Sequence, residues 1–344
     1  MASVSSPPPG ALARGLGFLW HPFKAVMDVI GLPFAFLQRR FGFGGMAVAF
    51  LAPNMLIFGT FVLLPMALNI VYSTTGGNEL FLENRPFVGM AQYDALFTCG
   101  DYMKPQSCQQ DGFWQGVHNT VVFVVVQVTM LVLASLATAL VLNRKMRGRA
   151  FWRSVFFFPV LLSPVVVGLI WKWVLQRDGL LNAGLMELGF ERVIWLADRQ
   201  WAMVWAIFVS VWAHLGFYAL ILLAGLQAIP ADLYEAAEMD GTSKFRAFRR
   251  ITLPLLWPNM LVVIVLALIK AVQVFDEVYI LTGGGPGTST QFLVQYIYET
   301  GFASQIRNMG LASAASLVMG GVLVVLTMVQ LGLSARKEKK EQDR

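Results

Sequence analysis

Lys270 lies in an otherwise apolar stretch, with Gln273 and Glu277 following at helical spacing and Asp276 beside them. Groups of this kind inside a bilayer cost about 2.5–3.5 kcal/mol each on insertion scales, so they face a water-filled cavity or a partner. One reading is the lining of a hydrated pathway. The other is an internal Lys270–acid pair, or a bond to a second membrane protein. Ser210, His214 and Tyr218 recur every four residues and form another polar stripe, open both to the pathway reading and to ordinary hydrogen-bonded packing. Asn119, Gln127, Ser313, Ser316 and Gln330 read as hydrogen-bonding glue between helices.

Bond-making chemistry is not suggested. The run Gly283-Gly284-Gly285-Pro286-Gly287-Thr288 has no Lys and is not a phosphate-binding loop. His21, His118 and His214 are far apart, no nucleophile elbow or His-Glu-x-x-His occurs, and two cysteines do not make a metal site. The expectation is a chain that is not an enzyme, with no metal and no cofactor of its own.

The most informative segment runs from Pro230 to Pro258. Asp232 with Glu235 three residues later has the form of a helix N-cap and its reciprocal acid. Glu235 and Glu238 suit the positive end of that helix. Ala236 and Ala237 are small enough for another backbone to approach, and Asp240-Gly241-Thr242 is a turn signal. A second short helix is expected over 243–250, with Lys244, Arg246, Arg249 and Arg250 around Phe245 and Phe248, ended by Pro254. A pair of surface helices with snorkelling arginines accounts for the charges but not for the apolar side chains. A projecting knob for a protein partner accounts for both.

These residues need a scaffold, and the composition says which kind. Of 344 residues 57% are hydrophobic and only 13% charged, with a mean hydropathy of +0.62. Soluble domains carry about 25% charged residues, so the chain belongs in a lipid bilayer and nucleic-acid binding is not expected. Six stretches have the roughly 20 apolar residues a spanning helix needs: 46–72, 117–142, 151–175, 201–226, 258–281 and 310–333. The expected fold is all-α, with six transmembrane helices spanning 46–333, an N-terminal segment over 1–45 and a charged tail over 334–344.

Lys and Arg sort by side. Four fall in the N-terminal segment, five in 143–153, four in 227–257 and five in the tail, against six in all the intervening loops. This asymmetry places both termini in the cytoplasm, the 227–257 loop with them, and the 73–116 loop outside. Within 1–45, the apolar stretch 15–38 is broken by Pro22, Lys24, Asp28 and Pro33 and reads as interfacial helices, with Trp20 buried and Arg39 and Arg40 at lipid phosphates, a re-entrant or spanning segment being the alternative. Lys172 with Trp171 and Trp173 fits the aromatic belt at the outer end of the third span. Cys99 and Cys108 both fall in the outer loop, so a disulfide is one reading and two separate thiols the other.

The 227–257 loop resembles the signature of ABC-importer permeases. Glu235-Ala236-Ala237, three residues, Gly241, nine residues and Ile251-Thr252-Leu253-Pro254 match every spaced element, with Asp240 just before the glycine. The resemblance extends over about 46–333, through Phe113–Thr120, Phe151–Leu175, Gly179-Leu180-Leu181-Asn182 and Phe275-Asp276 to Pro286, and is nearest the carbohydrate branch. It implies a type I importer fold in the bacterial inner membrane. The loop would seat on a cytoplasmic ATPase, and the partners would be a second homologous permease, two ATP-binding subunits holding ATP and Mg, and a periplasmic substrate-binding protein. Ser210, His214, Tyr218, Lys270, Gln273, Asp276 and Glu277 would then line a sugar pathway. Glycerol phosphate is an alternative cargo in the same branch. An ion-coupled secondary transporter, with Lys270 and Glu277 as its relay, is an alternative class.

Overall fold

With no water in a bilayer core, a spanning chain closes its backbone hydrogen bonds within itself, and this chain does so by helices. The structure is a computed structural model that describes residues 38, 40, 42–144 and 146–342, and beyond Gln330 only the backbone. Among the described residues there is no strand, only the isolated bridges Thr75–Phe87 and Cys99–Cys108. The interfacial helices expected over 15–38 lie outside the described residues.

The first helices are α1 (Gly42–Ser73), α2 (Ala91–Phe97) and α3 (Asp111–Asn143). Then come α4 (Arg149–Phe157), α5 (Pro164–Leu175), α6 (Leu180–Glu187) and α7 (Arg199–Ala228). The C-terminal part holds α8 (Asp232–Met239), α9 (Lys244–Val272), α10 (Asp276–Thr282), α11 (Leu293–Tyr298) and α12 (Met309–Gln342). The expected spans 46–72, 117–142, 201–226 and 310–333 fall inside α1, α3, α7 and α12. The chain divides between Leu68 and Asn69 into two units. The first unit holds most of α1, including its π-turn, and the second carries the core, the elbow and the cleft described below.

Two expected spans are not single helices. The stretch 151–175 is broken where Arg149–Leu161 meets Pro164–Glu187 at 99°. Pro159 tightens Phe158–Leu161 into a 3-10 turn, and Ser163, just before Pro164, is extended (φ −61°, ψ 140°). A residue preceding proline is pushed out of the helical region, so the direction changes there. The stretch 258–281 is broken as well: α9 stops at Val272, Phe275 leaves the helical region (φ −151°, ψ −67°), and α10 begins at Asp276. β-branched Val272 and Val274 flank the break, and Asp276 and Glu277 suit a fresh helix N-terminus.

Pro65 and Pro254 are absorbed within their helices. A π-turn at Gly59–Leu63 precedes Pro65, and another at Phe248–Thr252 precedes Pro254. In each the residue before proline bonds five residues back, Leu64 to Gly59 and Leu253 to Phe248. The wider turn accommodates the carbonyl that the proline ring would otherwise strike. Pro254 therefore does not end the second short helix as expected; α9 runs through it.

The main core joins α3, α7 and α9 through Phe123, Leu131, Leu142, Tyr218, Leu222, Leu256 and Val263. Small residues set the helix spacing, as is usual in membranes. A Cβ on Gly168 would lie 2.8 Å from the Glu277 carbonyl, so α5 and α10 touch backbone to backbone. Gly216 allows α7 the same closeness to Phe156 and Phe157.

Candidate functional site

The elbow between α7 and α9 is built by local rules. α8 begins at Asp232 with Ala231 as its cap residue and no side-chain cap bond, so Asp232 is the first helical residue and not the cap expected. Asp232 and Glu235 still lie in the first turn, at the positive end of the dipole. The helix stops in a Schellman motif: Thr242 N–H donates to the Ala237 carbonyl at 2.9 Å and Gly241 N–H to that of Glu238 at 3.0 Å. Gly241 occupies the left-handed position the motif needs (φ +66°). Ser243 then caps α9, accepting from the Arg246 N–H at 3.4 Å.

The side-chain bond between Tyr234 Oη and Thr252 Oγ1, at 2.9 Å, anchors the knob. Glu235, Ala236, Asp240, Gly241 and Pro254 are exposed, Ala237, Ile251 and Leu253 are half-buried, and α8 buries no residue. Met239 and Phe245 stand 89% and 74% exposed beside the elbow. Two bare apolar side chains among charges suit a protein partner better than lipid headgroups.

The polar residues of the spans are only partly gathered. Ser210 and Glu277 meet inside the bundle, the Ser210 hydroxyl donating to Glu277 Oε1 at 3.4 Å, and both are buried. His214 Nδ1 lies 2.8 Å from the Ser210 carbonyl, one turn back. Tyr218 is in the main core. Lys270, Gln273 and Asp276 are exposed, and among the described residues no ion pair joins Lys270 to Asp276 or Glu277. The break at 273–275 removes the shared helix face expected for Lys270, Gln273 and Glu277.

Of the residues read as glue, Asn119 binds irregular backbone and Ser316 joins another helix. Asn119 Nδ2 donates to the carbonyls of Thr288 and Gln291, at 2.8 and 2.9 Å, and Thr120 Oγ1 accepts from Leu293 N–H at 3.0 Å. Asn69 donates to Ser316 at 2.8 Å. The Asn182 amide, 1% exposed, bonds the carbonyls of Arg177 and Val193, the Val193 N–H and the Trp195 indole. Trp171 packs on Trp205, Phe208 and Trp212 of α7, whereas Trp173 is exposed.

At the other end of α7, about 45 Å from the elbow for a 30-residue helix, lies a cleft of about 560 Å³. One wall is a hairpin closed by the Cys99–Cys108 disulfide, contributing Pro105 and Gln106. The opposite wall comes from 288–306, and Asp111, Gln115 and Arg199 complete the lining. Both Glu299 oxygens accept amide bonds at 2.8 Å, Oε1 from Gln295 and Oε2 from Gln291. Tyr296 donates to Gln110 Oε1 at 3.1 Å, and burial pushes its phenol up to about 12, with Asp111 adding to the effect. In the same 73–116 loop, Arg85 is buried on the Tyr72 ring and donates to Thr75 and the Glu79 carbonyl; burial lowers its pKa. The sequence reading missed this cleft, whose residues share no spacing or motif.

Residues 130–340 match the family described as binding-protein-dependent transport system inner membrane component. The chain is 34% identical to the sulfoquinovosyl glycerol transport system permease protein SmoG of Agrobacterium fabrum, covering 85% of this chain and 91% of that protein. It is 34% identical to the trehalose/maltose transport system permease protein MalF of Thermococcus litoralis, covering 81% and 90%. With the lactose transport system permease protein LacF of Rhizobium radiobacter the identity is 32%, covering 85% and 94%. In fold it is similar to a bacterial ABC transporter that imports the acidic polysaccharide alginate, with a TM-score of 0.72, 24% identity, and 85% and 95% coverage.

Proposed function

The chain belongs to the family of binding-protein-dependent transport system inner membrane components, and we propose that it is a membrane-spanning subunit of an ATP-driven importer for a sugar or related polyol. The observation that carries this reading is the elbow. Glu235-Ala236-Ala237 lies in a short helix that buries no residue, and Gly241 turns the chain into a second helix that continues into a spanning one. A push on α8 or on the first turn of α9 is transmitted along a rigid rod to the bilayer.

In this reading the knob formed by Glu235, Ala236, Ala237, Asp240 and Gly241, backed by Ile251, Leu253 and Pro254, seats on a cytoplasmic ATP-binding subunit, one of two in the assembly. A second, homologous permease completes the pathway, and a periplasmic binding protein delivers the cargo to the outer loops. The protein sits in the bacterial inner membrane as a 46–333 permease domain with both termini cytoplasmic. ATP and Mg are held by the partner subunits. Ser210, His214 and Tyr218 with Lys270, Gln273, Asp276 and Glu277 contribute to the pathway, and closure of the ATPases rocks the spans to open it outward and then inward.

The test is uptake by proteoliposomes holding this chain, its second permease and the ATP-binding subunits, with binding protein outside and ATP inside. Labelled sugar should accumulate only when both ATP and binding protein are present. Uptake that persists on a proton gradient after ATP is removed would refute the reading in favour of an ion-coupled carrier.

A further inference from the structure

We propose that the cleft between the disulfide hairpin and the 288–306 segment binds a neutral polyhydroxylated ligand, of mono- to disaccharide size, and rejects acidic sugars. The inference rests on the sugar-importer reading and narrows it to a second, outer site and a charge class. The volume of about 560 Å³ falls within the range of small-molecule sites.

Hydrogen-bonding capacity decides the class of ligand. A carboxylate oxygen has about two acceptor positions, so Glu299, with one amide donor on each oxygen, keeps one free position on each. Gln291 uses its amide NH₂ on Glu299, and its Oε1 is buried at the cleft without a hydrogen-bond partner. A buried acceptor in that state calls for a donor from elsewhere. Gln115, another lining residue, donates an N–H to Asn119 Oδ1 at 2.9 Å, which leaves its Oε1 as an acceptor. With Asp111 also lining it, the cleft is rich in acceptors, which is what ligand hydroxyls satisfy.

The same arithmetic excludes anions. Among the lining residues Asp111 and Glu299 stand against one cation, Arg199, so a uronate, sulfonate or phosphate would bring acceptors and negative charge to a site already carrying both. A neutral sugar brings donors and no charge. The hairpin, tied at Cys99–Cys108, fixes the wall bearing Gln106.

The experiment uses the assembled importer in nanodiscs with Ser304→Cys at the cleft as reporter; Cys99 and Cys108 are bonded to each other and do not label. A membrane-impermeant maleimide is applied with maltose, trehalose, lactose or a uronic-acid disaccharide. At least one neutral disaccharide should slow labelling fivefold or more, with the uronate leaving the rate within twofold. Glu299→Gln should abolish the protection. Gln291→Leu, which keeps the net charge, should weaken it at least threefold and serves where Glu299→Gln fails to assemble. No protection by any neutral sugar, stronger protection by the uronate, or protection indifferent to both substitutions would overturn the proposal. ATP-driven uptake of the same sugars, scored separately, reports on the importer reading: uptake without protection sinks the cleft alone, and protection without uptake sinks the importer alone.

Discussion

Replacing Gly241 by alanine isolates one physical quantity at the elbow. A Cβ built on Gly241 would meet no atom within 4 Å, so the substitution introduces no clash. What it introduces is a side chain at φ +66°, where an L-residue costs about 1–2 kcal/mol. That strain opposes the two bonds that end α8, Thr242 N–H to Ala237 and Gly241 N–H to Glu238. A loss of about 1–2 kcal/mol lowers the population of the closed elbow about 5- to 30-fold relative to its open forms. Binding of the ATP-binding subunit, measured by titrating it onto the chain in nanodiscs, should weaken by up to that factor, with membrane insertion unchanged. Gly241→Asn is the control, because asparagine tolerates the left-handed region. It should recover most of the affinity although it is larger than alanine. If Asn proved as damaging as Ala, room and not conformation would be at issue and the reasoning would fail. An unchanged affinity in Gly241→Ala would show that the elbow's geometry is not what the partner reads.

Other outcomes follow from single contacts. Asn182→Leu strands the Val193 N–H and the carbonyls of Arg177 and Val193, at about 1–3 kcal/mol for each group left unsatisfied, and should lower the thermal midpoint of the solubilised protein by several degrees. Gly216→Ala drives a methyl into the Phe156 backbone and should sharply reduce the yield of folded protein, whereas Gly184→Ala, with open space around it, should not. Cys99→Ser with Cys108→Ser frees a ten-residue loop and should destabilise the hairpin by about 2–3 kcal/mol, read as faster proteolysis or hydrogen exchange of 98–109. Tyr296 holds its proton up to about 12 in the folded chain against about 10 unfolded, so its contribution to stability is present below pH 10 and lost as pH rises toward 12. The alkaline decline of the thermal midpoint should be shallower in Tyr296→Phe.

The long spans and the elbow were legible in the sequence for a shared reason: their determinants are local. Twenty apolar residues imply a closed helical ladder, and a glycine after a short acidic helix implies a left-handed cap. Proline was less informative. Pro65 and Pro254 sit in helices that widen to take them, whereas Pro159 and Pro164 turn the chain by 99°. Hydropathy does not separate these cases, because all lie among apolar residues and the outcome depends on whether a π-turn can form or an extended Ser163 intervenes.

The break at 273–275 was hidden in the same way, and with it the true neighbours of Glu277. The polar side chains carry the deeper lesson. Asn119 stood out as a polar residue in apolar surroundings and Thr120 and Asn182 only as parts of segments resembling the family, yet the partners of all three include backbone groups of irregular segments, some about 170 residues away. Non-helical backbone away from water lacks the ladder that satisfies a span, and a side-chain amide or hydroxyl replaces it. Such a residue therefore announces that an irregular segment packs against its helix without saying which one. The cleft is a consequence of that pairing: Asn119 and Thr120 hold 288–293 against α3 and so bring Gln291 and Glu299 into one lining with Asp111 and Gln115. The pairing that builds the site is thus made by residues a sequence reader would assign to packing.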